Sequence, residues 1–217
     1  MAGLGRRAYD ATWGRFFAAI YDRMIAESEA AGMAAHRREL LARASGRTLE
    51  LGAGTGLNLE HYPAAVGELV LSEPFEPMAR RLRERVAASG REAEVVVAPA
   101  AGLPFPDDSF DTVVATLVLC SVDDVPAALA EVERVLRPGG RLLFAEHVRA
   151  EDPGLAGWQD RLERPWQFLG HGCRCNRDTV GTLAASPLEL GDVHRDRLPK
   201  ATPIVRPMAI GSARKPG

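Results

Sequence analysis

Three glycines at alternate positions are the residues whose type and spacing point most directly to chemistry. Gly52, Gly54 and Gly56 follow a short apolar run that also contains the acid Glu50. Glycine tolerates positive φ and lets the backbone approach a ligand without a Cβ in the way, so the spacing predicts a ligand-binding turn between a strand and a helix. Leu57 stands where the dinucleotide fingerprint G-x-G-x-x-G needs its third glycine. An acid before the turn suits a cationic amino-acid ligand better than a pyrophosphate.

A second acid, Glu73, ends the next predicted strand and lies 19 positions after Gly54. This is close to the spacing expected of an acid that accepts hydrogen bonds from both hydroxyls of a ribose. Either Asp or Glu can do this, because two neutral hydroxyls need only one carboxylate that accepts a hydrogen bond from each of them. A solvated acid at a strand end is the alternative interpretation.

Two histidines and three cysteines are the remaining candidates for chemistry. His147 follows the predicted fifth strand, where a general base would lie, and His171 lies in a later loop; either could instead be structural. Cys173 and Cys175 are one residue too close for the usual zinc pair and no second pair exists, so we expect no metal site. Cys120 is interpreted as a small apolar residue at a strand end.

The elements that must position these residues alternate between apolar strands and helices, which predicts a parallel sheet covered on both faces, with an antiparallel last strand. Such sheets bind ligands at the carboxyl ends of their strands. A late helix carries Trp158, Trp166 and Phe168, which would either pack in the core or wall an apolar acceptor pocket. Strands are predicted at residues 48–51, 68–72, 94–98, 112–119, 141–146, 189–196 and 203–213, and helices at residues 9–31, 34–44, 77–89 and 125–136, with one more beginning near Leu57 or Asn58.

The totals for the whole chain exclude several classes of protein. A length of 217 residues suits one large α/β domain, and a net charge of −2 gives no electrostatic case for a nucleic-acid partner. Three cysteines do not make a disulfide framework, and residues 1–7 lack the apolar stretch of a signal peptide. The longest apolar run, residues 113–122, is about half a membrane span. We therefore expect a cytoplasmic enzyme without a transmembrane anchor, as a monomer or weak homodimer.

The run E-L-G-A-G-T-G at residues 50–56 resembles the first motif of class I S-adenosylmethionine (SAM) methyltransferases. The resemblance implies an α/β, Rossmann-like fold with a seven-stranded, mostly parallel sheet. It also implies that residues 1–45 form helices that cap the site and that residues 46–217 form the methyltransferase domain. The implied cofactor contacts are Tyr21, Glu50, Gly52, Ala53, Gly54, Gly56, Asn58, Glu73, Pro74, Ala100, Ala101, Thr116, Leu117 and Cys120.

Blocks in the second half of the chain resemble a narrower family, the methyltransferase-like alkyl thiol methyltransferases of animals and their bacterial relatives. The blocks are T-L-V-L-C-S-V at 116–122, V-L-R-P-G-G at 135–140, E-H-V at 146–148, H-G-C at 171–173 and V-R-P at 205–207. The likeness runs from about residue 46 to 213. This chain departs from the family in three ways: it begins without the hydrophobic anchor of the animal proteins, and it has Glu73 and His171 where an Asp is typical.

The resemblance implies a SAM-dependent methyltransferase that releases S-adenosylhomocysteine and methylates a small, largely apolar acceptor, with a thiol favoured. Methyl transfer is an in-line displacement, so positioning supplies most of the acceleration. A thiol is already partly ionised near neutral pH, whereas an alcohol or phenol would need a base such as His147 or His171. Two alternatives stay open: N-, O- or C-methylation of a secondary metabolite, quinone or lipid headgroup, and a non-catalytic SAM-binding module.

Overall fold

Three consecutive helices precede the first strand. The computed structural model describes residues 4–217, with the backbone alone at residues 4, 6 and 7, so the first three residues of the predicted cap lie outside the described part. The helices are α1 (Leu4–Tyr9), α2 (Arg15–Ser28) and α3 (Ala34–Leu41). Single π-helical turns join them, and Gly32, with a φ of 149°, breaks the path between α2 and α3. This agrees with the helices predicted at residues 9–31 and 34–44.

Seven strands form one sheet in the order β3-β2-β1-β4-β5-β7-β6. The first five strands pair in parallel, and β7 pairs antiparallel with both β5 and β6, which confirms the predicted sheet. The strand order reverses between β1 and β4, and sheets of this kind bind ligands in the crevice at that point. The strands are β1 (Gly46–Leu51), β2 (Val66–Ser72), β3 (Glu94–Val96), β4 (Phe110–Thr116), β5 (Leu136–His147), β6 (Glu189–Arg197) and β7 (Pro207–Arg214).

Helices cover both faces of the sheet because successive strand residues point to opposite sides. Val113 of β4 packs on the face covered by α5 (Val125–Val135) and α7 (Thr179–Ala184). Its neighbour Val114 packs on the other face, with α3 and α4 (Glu76–Ser89). A further helix, α6 (Pro153–Leu169), follows β5. Among the described residues, no helix is both long and apolar enough to cross a membrane.

The prediction of a helix directly after the glycine turn was wrong. The structure has only a short 3₁₀ turn, Leu59–His61, followed by Tyr62 in an extended conformation. Tyr62 precedes Pro63, and a residue before proline is disfavoured in the helical region because the proline ring crowds it. The chain therefore crosses to β2 without building a helix.

Several strand boundaries also differ from the prediction. β1 and β2 each begin two residues earlier than predicted, and β7 begins at Pro207, after a 3₁₀ turn at Pro203–Val205, rather than at residue 203. β4 ends at Thr116 rather than residue 119, because Leu117 has a φ of 58° and turns the chain out of the sheet. β3 is three residues long and only half-buried rather than fully buried, since it lies at the sheet edge. β5 begins at Leu136 rather than at residue 141, and its pairing with β4 is irregular near this start. The short helix α7 was not predicted.

Candidate functional site

A small cavity lies where β1 and β4 end, at the reversal of the strand order. Its volume is about 40 Å³, room for a few water molecules. It brings together eight of the residues predicted to contact the cofactor and adds three that were not predicted. The predicted ones are Tyr21, Glu50, Gly52, Ala53, Gly54, Asn58, Thr116 and Leu117, and the added ones are Arg37, Thr55 and Leu57.

The three glycines of the turn have different roles, although all have positive φ. A Cβ on Gly52 would lie 2.2 Å from a methyl of Val118, so the neighbouring loop needs a glycine there. A Cβ on Gly56 would lie 2.8 Å from Leu82, so this glycine permits the turn to pack on α4 and does not line the cavity. A Cβ on Gly54 would meet no protein atom closer than 3.7 Å. Gly54 is therefore the position whose missing side chain leaves space at the cavity.

Glu73 is buried at the end of β2 and is held against the glycine turn. One carboxylate oxygen accepts from the backbone N–H of Gly54 at 2.9 Å, and the other accepts from the N–H of Phe75 at 2.8 Å. Burial raises the pKa of Glu73, and the two backbone N–H groups oppose this rise. The carboxylate is thus fixed beside Gly54 with lone pairs left for further donors.

Glu50 forms the buried acidic end of the cavity. Its oxygens accept from the Asn58 side-chain amide at 2.9 Å and from the Tyr62 hydroxyl at 2.7 Å. Burial raises the pKa of Glu50 to about 7, against the opposing effects of Tyr62, Arg37 and Asn58. A buried carboxylate with this pKa gains from a cationic group placed next to it.

Arg37 supplies a cation in the same cavity and was missed from the sequence. It is 4% exposed, donates to both oxygens of Glu29 and donates to the Asn58 side-chain oxygen at 2.8 Å. The sequence could have pointed to Arg37 only through its place in a helix that precedes the glycine motif. The adjacent Arg38 has the same place, so the sequence does not distinguish the two arginines. The cavity therefore carries both a carboxylate, Glu50, and a guanidinium cation, Arg37. These groups complement the ammonium and carboxylate groups of an amino-acid moiety.

Asp22 connects α2 to the glycine turn. Its carboxylate accepts from the Thr55 hydroxyl and pairs with Arg85 of α4. The adjacent Tyr21 lines the cavity, and burial raises its pKa to about 12, so the phenol is un-ionised at neutral pH. These contacts hold helix α2 against the glycine turn.

Glu146, near the end of β5, holds the loop that follows β4. Its carboxylate accepts from the backbone N–H groups of Val118, Leu119 and Cys120 at 2.9, 2.9 and 3.2 Å. This arrangement fixes the loop after Leu117, whose positive φ costs about 1–3 kcal/mol. The E-H-V block was recognised in the sequence, but only its histidine was considered as functional.

The two histidines lie outside the cavity lining. His147 is buried, and burial lowers its pKa to about 4, so its ring is neutral near pH 7 and a weak base. His171 stacks on Phe17 and Tyr9 with ring centroids 5.4 and 5.7 Å apart, and its Nε2 lies 3.8 Å from Asp10. The structure thus places His171 in an aromatic cluster with α1 and α2.

Five predicted cofactor contacts, in addition to Gly56, do not line the cavity. Cys120 packs in a thiol cluster, with its Sγ 3.7 Å from that of Cys173, because Glu146 turns the loop inward. Ala100 is buried in the core, and Ala101 is exposed. Glu73, although beside Gly54, and Pro74, which is exposed, do not border the enclosed cavity.

The aromatic residues of α6 do not form a core as a group. Trp158 and Phe168 are 54% and 51% exposed, whereas Trp166 packs beside the thiol cluster. The core interpretation was therefore wrong for the two exposed residues. The alternative, that these residues wall an acceptor pocket, stays a hypothesis.

The residues at the cavity fit SAM by their chemistry. Glu50 and Arg37 provide charges opposite to those of the amino and carboxylate groups of a methionine moiety, Gly54 leaves space, and Glu73 provides acceptors for ribose hydroxyls. The cavity of about 40 Å³ is far smaller than the roughly 300–1,000 Å³ of small-molecule sites, and Tyr21 of α2 lines it. It therefore accounts for only part of the space that the whole cofactor needs.

Comparisons with known proteins agree with this chemistry. A family model described as a methyltransferase domain matches residues 49–144. Human thiol S-methyltransferase TMT1B is 36% identical over 197 residues, covering 84% of this chain and 80% of the relative, and human TMT1A is 35% identical with the same coverage. A phosphatidylethanolamine N-methyltransferase from Cereibacter sphaeroides is 36% identical over 70% of this chain and 75% of its own length.

Solved structures show the same fold. A crystal structure of a putative methyltransferase from Bacillus halodurans superposes with a TM-score of 0.71 at 17% identity, covering 84% of this chain and 98% of that one. The sheet, the glycine turn and the sequence relatives are thus consistent with one another. The chain belongs to the family of SAM-dependent methyltransferases that includes the thiol S-methyltransferases TMT1A and TMT1B.

Proposed function

We propose that this methyltransferase acts on a small, largely apolar thiol. The observation that carries the proposal is that neither candidate base, His147 or His171, lines the cavity, in a chain related to thiol S-methyltransferases. Burial also lowers the pKa of His147 to about 4. An alcohol or phenol acceptor needs a positioned base that is effective near neutral pH. A thiol has a pKa near 8.5 and is already partly ionised there, so it can react without a strong base.

The residues of the cavity hold and orient the cofactor in this proposal. Glu50 receives the amino group, Arg37 receives the carboxylate, and Glu73 accepts hydrogen bonds from the ribose hydroxyls beside Gly54. SAM supplies an electrophilic methyl group on a sulfonium. Arg37 keeps its bond to Glu29, so its position does not depend on the ligand. The chain's contribution is alignment, since in-line placement of nucleophile and methyl accounts for most of the acceleration.

The same arrangement supports a cap over the cofactor site, formed by the helices before β1. Tyr21 and Arg37, from α2 and α3, both line the cavity. The cofactor contacts predicted at Gly52, Ala53, Asn58, Thr116 and Leu117 are retained, since these residues line the cavity. A cytoplasmic location and a monomer or weak homodimer remain our expectations from the sequence.

The test is conversion of SAM to S-adenosylhomocysteine, followed by mass spectrometry, with a panel of thiols, amines and phenols. We expect turnover with alkyl or aryl thiols and none with phenols. His147→Gln serves as the matched variant, because a base-independent reaction tolerates the loss of its imidazole. Turnover with a phenol that disappears in this variant would contradict the proposal.

A second candidate function is N-methylation of a lipid headgroup, which the relative that is named a phosphatidylethanolamine N-methyltransferase favours. The same panel, extended with phosphatidylethanolamine, distinguishes it. Saturable SAM binding by calorimetry without turnover of any acceptor would instead support the non-catalytic SAM-binding module.

A further inference from the structure

An exposed apolar face runs across α6 and the start of α2, outside the methyl-transfer site. We define the apolar face by Trp13, Phe16, Trp158, Leu162, Phe168 and Leu169. Five of these side chains are between 37% and 54% exposed, and Trp13 is half-buried among them. Exposed large apolar side chains are unremarkable singly, but a contiguous set marks an interaction surface.

Contacts between the two helices make this set contiguous. The Trp13 ring lies 5.4 Å from the Phe16 ring and stacks on the Phe168 ring at 6.0 Å. The Trp13 indole N–H also donates to the Leu169 carbonyl at 3.2 Å. Trp13, in the π-helical turn before α2, thus joins Phe16 of α2 and the C-terminal end of α6 into one surface.

The spacing along α6 extends this surface along the whole helix. At 100° per residue, Trp158, Leu162 and Leu169 fall within about 40° of one another. The distance from the first to the last is about 17 Å along the helix axis. The apolar residues of α6 therefore form a stripe rather than scattered single side chains.

Arginines border the apolar face. Arg15, Arg161 and Arg164 are exposed, and within the part of the chain that the structure describes they make no ion pair. Arg161 lies over the Trp158 ring at 5.3 Å. The nearby acid Asp160 is already engaged, since both of its oxygens accept from Arg149. Glu163, which lies between Arg161 and Arg164 in the sequence, offsets one of these charges. The three arginines still outnumber it, so the border is positive although the whole chain carries a net charge of −2.

We propose that the apolar face docks on an anionic lipid bilayer, with the aromatic side chains at the level of the headgroups and the arginines on the lipid phosphates. Tryptophan and arginine are the residues that favour this interface. A second copy of the chain fits less well, because a two-fold contact would bring the same arginine border against itself. The docking does not depend on which acceptor is methylated.

The test is co-sedimentation of the purified full-length protein with phosphatidylcholine vesicles, with and without phosphatidylglycerol. We expect binding that is at least about tenfold stronger with the anionic lipid, since each arginine at such a surface contributes about 1 kcal/mol, or roughly fivefold. Arg161→Glu/Arg164→Glu should lose about tenfold or more of this binding, and Trp158→Ser/Leu162→Ser should lose a similar amount. Arg80→Glu and Val97→Ser, exposed residues away from this face, are the matched controls and should bind like the wild type.

Thermal unfolding of each variant checks that the fold is retained, which these exposed positions favour. Equal binding of the wild type and the Trp158→Ser/Leu162→Ser variant would overturn the proposal, as would absence of binding to either vesicle. A wild-type dimer in analytical ultracentrifugation that the same substitutions dissociate would also overturn it, since the face would then be a homodimer interface.

Discussion

Replacing Glu50 with glutamine should change how the stability of the protein depends on pH. Burial raises the pKa of Glu50 from 4.5 to about 7, so the folded protein binds this proton more tightly than the unfolded chain does. The resulting stabilisation is complete below about pH 4.5 and is lost as the pH rises through about 7. At about 1.4 kcal/mol per unit of pKa, the loss reaches about 3 kcal/mol.

Glu50→Gln removes this titration and keeps the shape of the site. The glutamine oxygen can accept from Asn58, and its amide can donate to the Tyr62 hydroxyl, which is also an acceptor. The free energy of unfolding of the variant, relative to the wild type, should therefore rise by about 3 kcal/mol between about pH 4.5 and pH 8. Glu146 also has a pKa of about 7, but it is present in both proteins and cancels in the difference.

Urea unfolding of the two proteins across this pH range measures the effect. Near neutral pH the same energy corresponds to a shift of about 6–12 °C in Tm for a chain of this size. Glu60→Gln, a change at an exposed carboxylate on the same segment, is the control and should follow the wild type. A stability difference between Glu50→Gln and wild type that stays constant with pH would refute the reasoning.

Four further substitutions test the proposed site. Gly54→Ala should fold, at a cost of about 1 kcal/mol for its positive φ, and lose SAM binding in calorimetry. Gly52→Ala should lower Tm more, because its Cβ would collide with Val118. A larger fall in Tm for Gly54→Ala than for Gly52→Ala would contradict the assigned roles. Glu73→Ala should weaken SAM binding by up to about 3 kcal/mol, and an unchanged Kd would remove Glu73 from the ribose. His147→Ala should lower Tm, because the side chain is buried, and leave both the thiol turnover and the Kd for SAM unchanged. A loss of thiol turnover with an unchanged Tm would make this histidine a base and contradict the proposed function.

The sheet and the glycine turn could be predicted from the sequence because both depend on patterns of neighbouring residues. Apolar runs identify the buried strands, and glycine at alternate positions requires no knowledge of distant residues. Arg37 and Glu146 were missed because their roles depend on partners far along the chain, Asn58 in one case and the backbone of residues 118–120 in the other. The end of β4 was missed because apolar residues continue past Leu117, and only the positive φ of that residue shows the turn.

The bridge made by Asp22 has a consequence for the kinetics of the reaction. This carboxylate joins α2 to Thr55 and Arg85 beside a cavity of only about 40 Å³. We therefore expect α2 to move when the cofactor enters and again when the product leaves, which adds opening steps to each turnover. In enzymes with a lid over the active site, product release often limits kcat. We expect a rapid burst of one methylated product per enzyme molecule, followed by a slower steady state set by departure of S-adenosylhomocysteine.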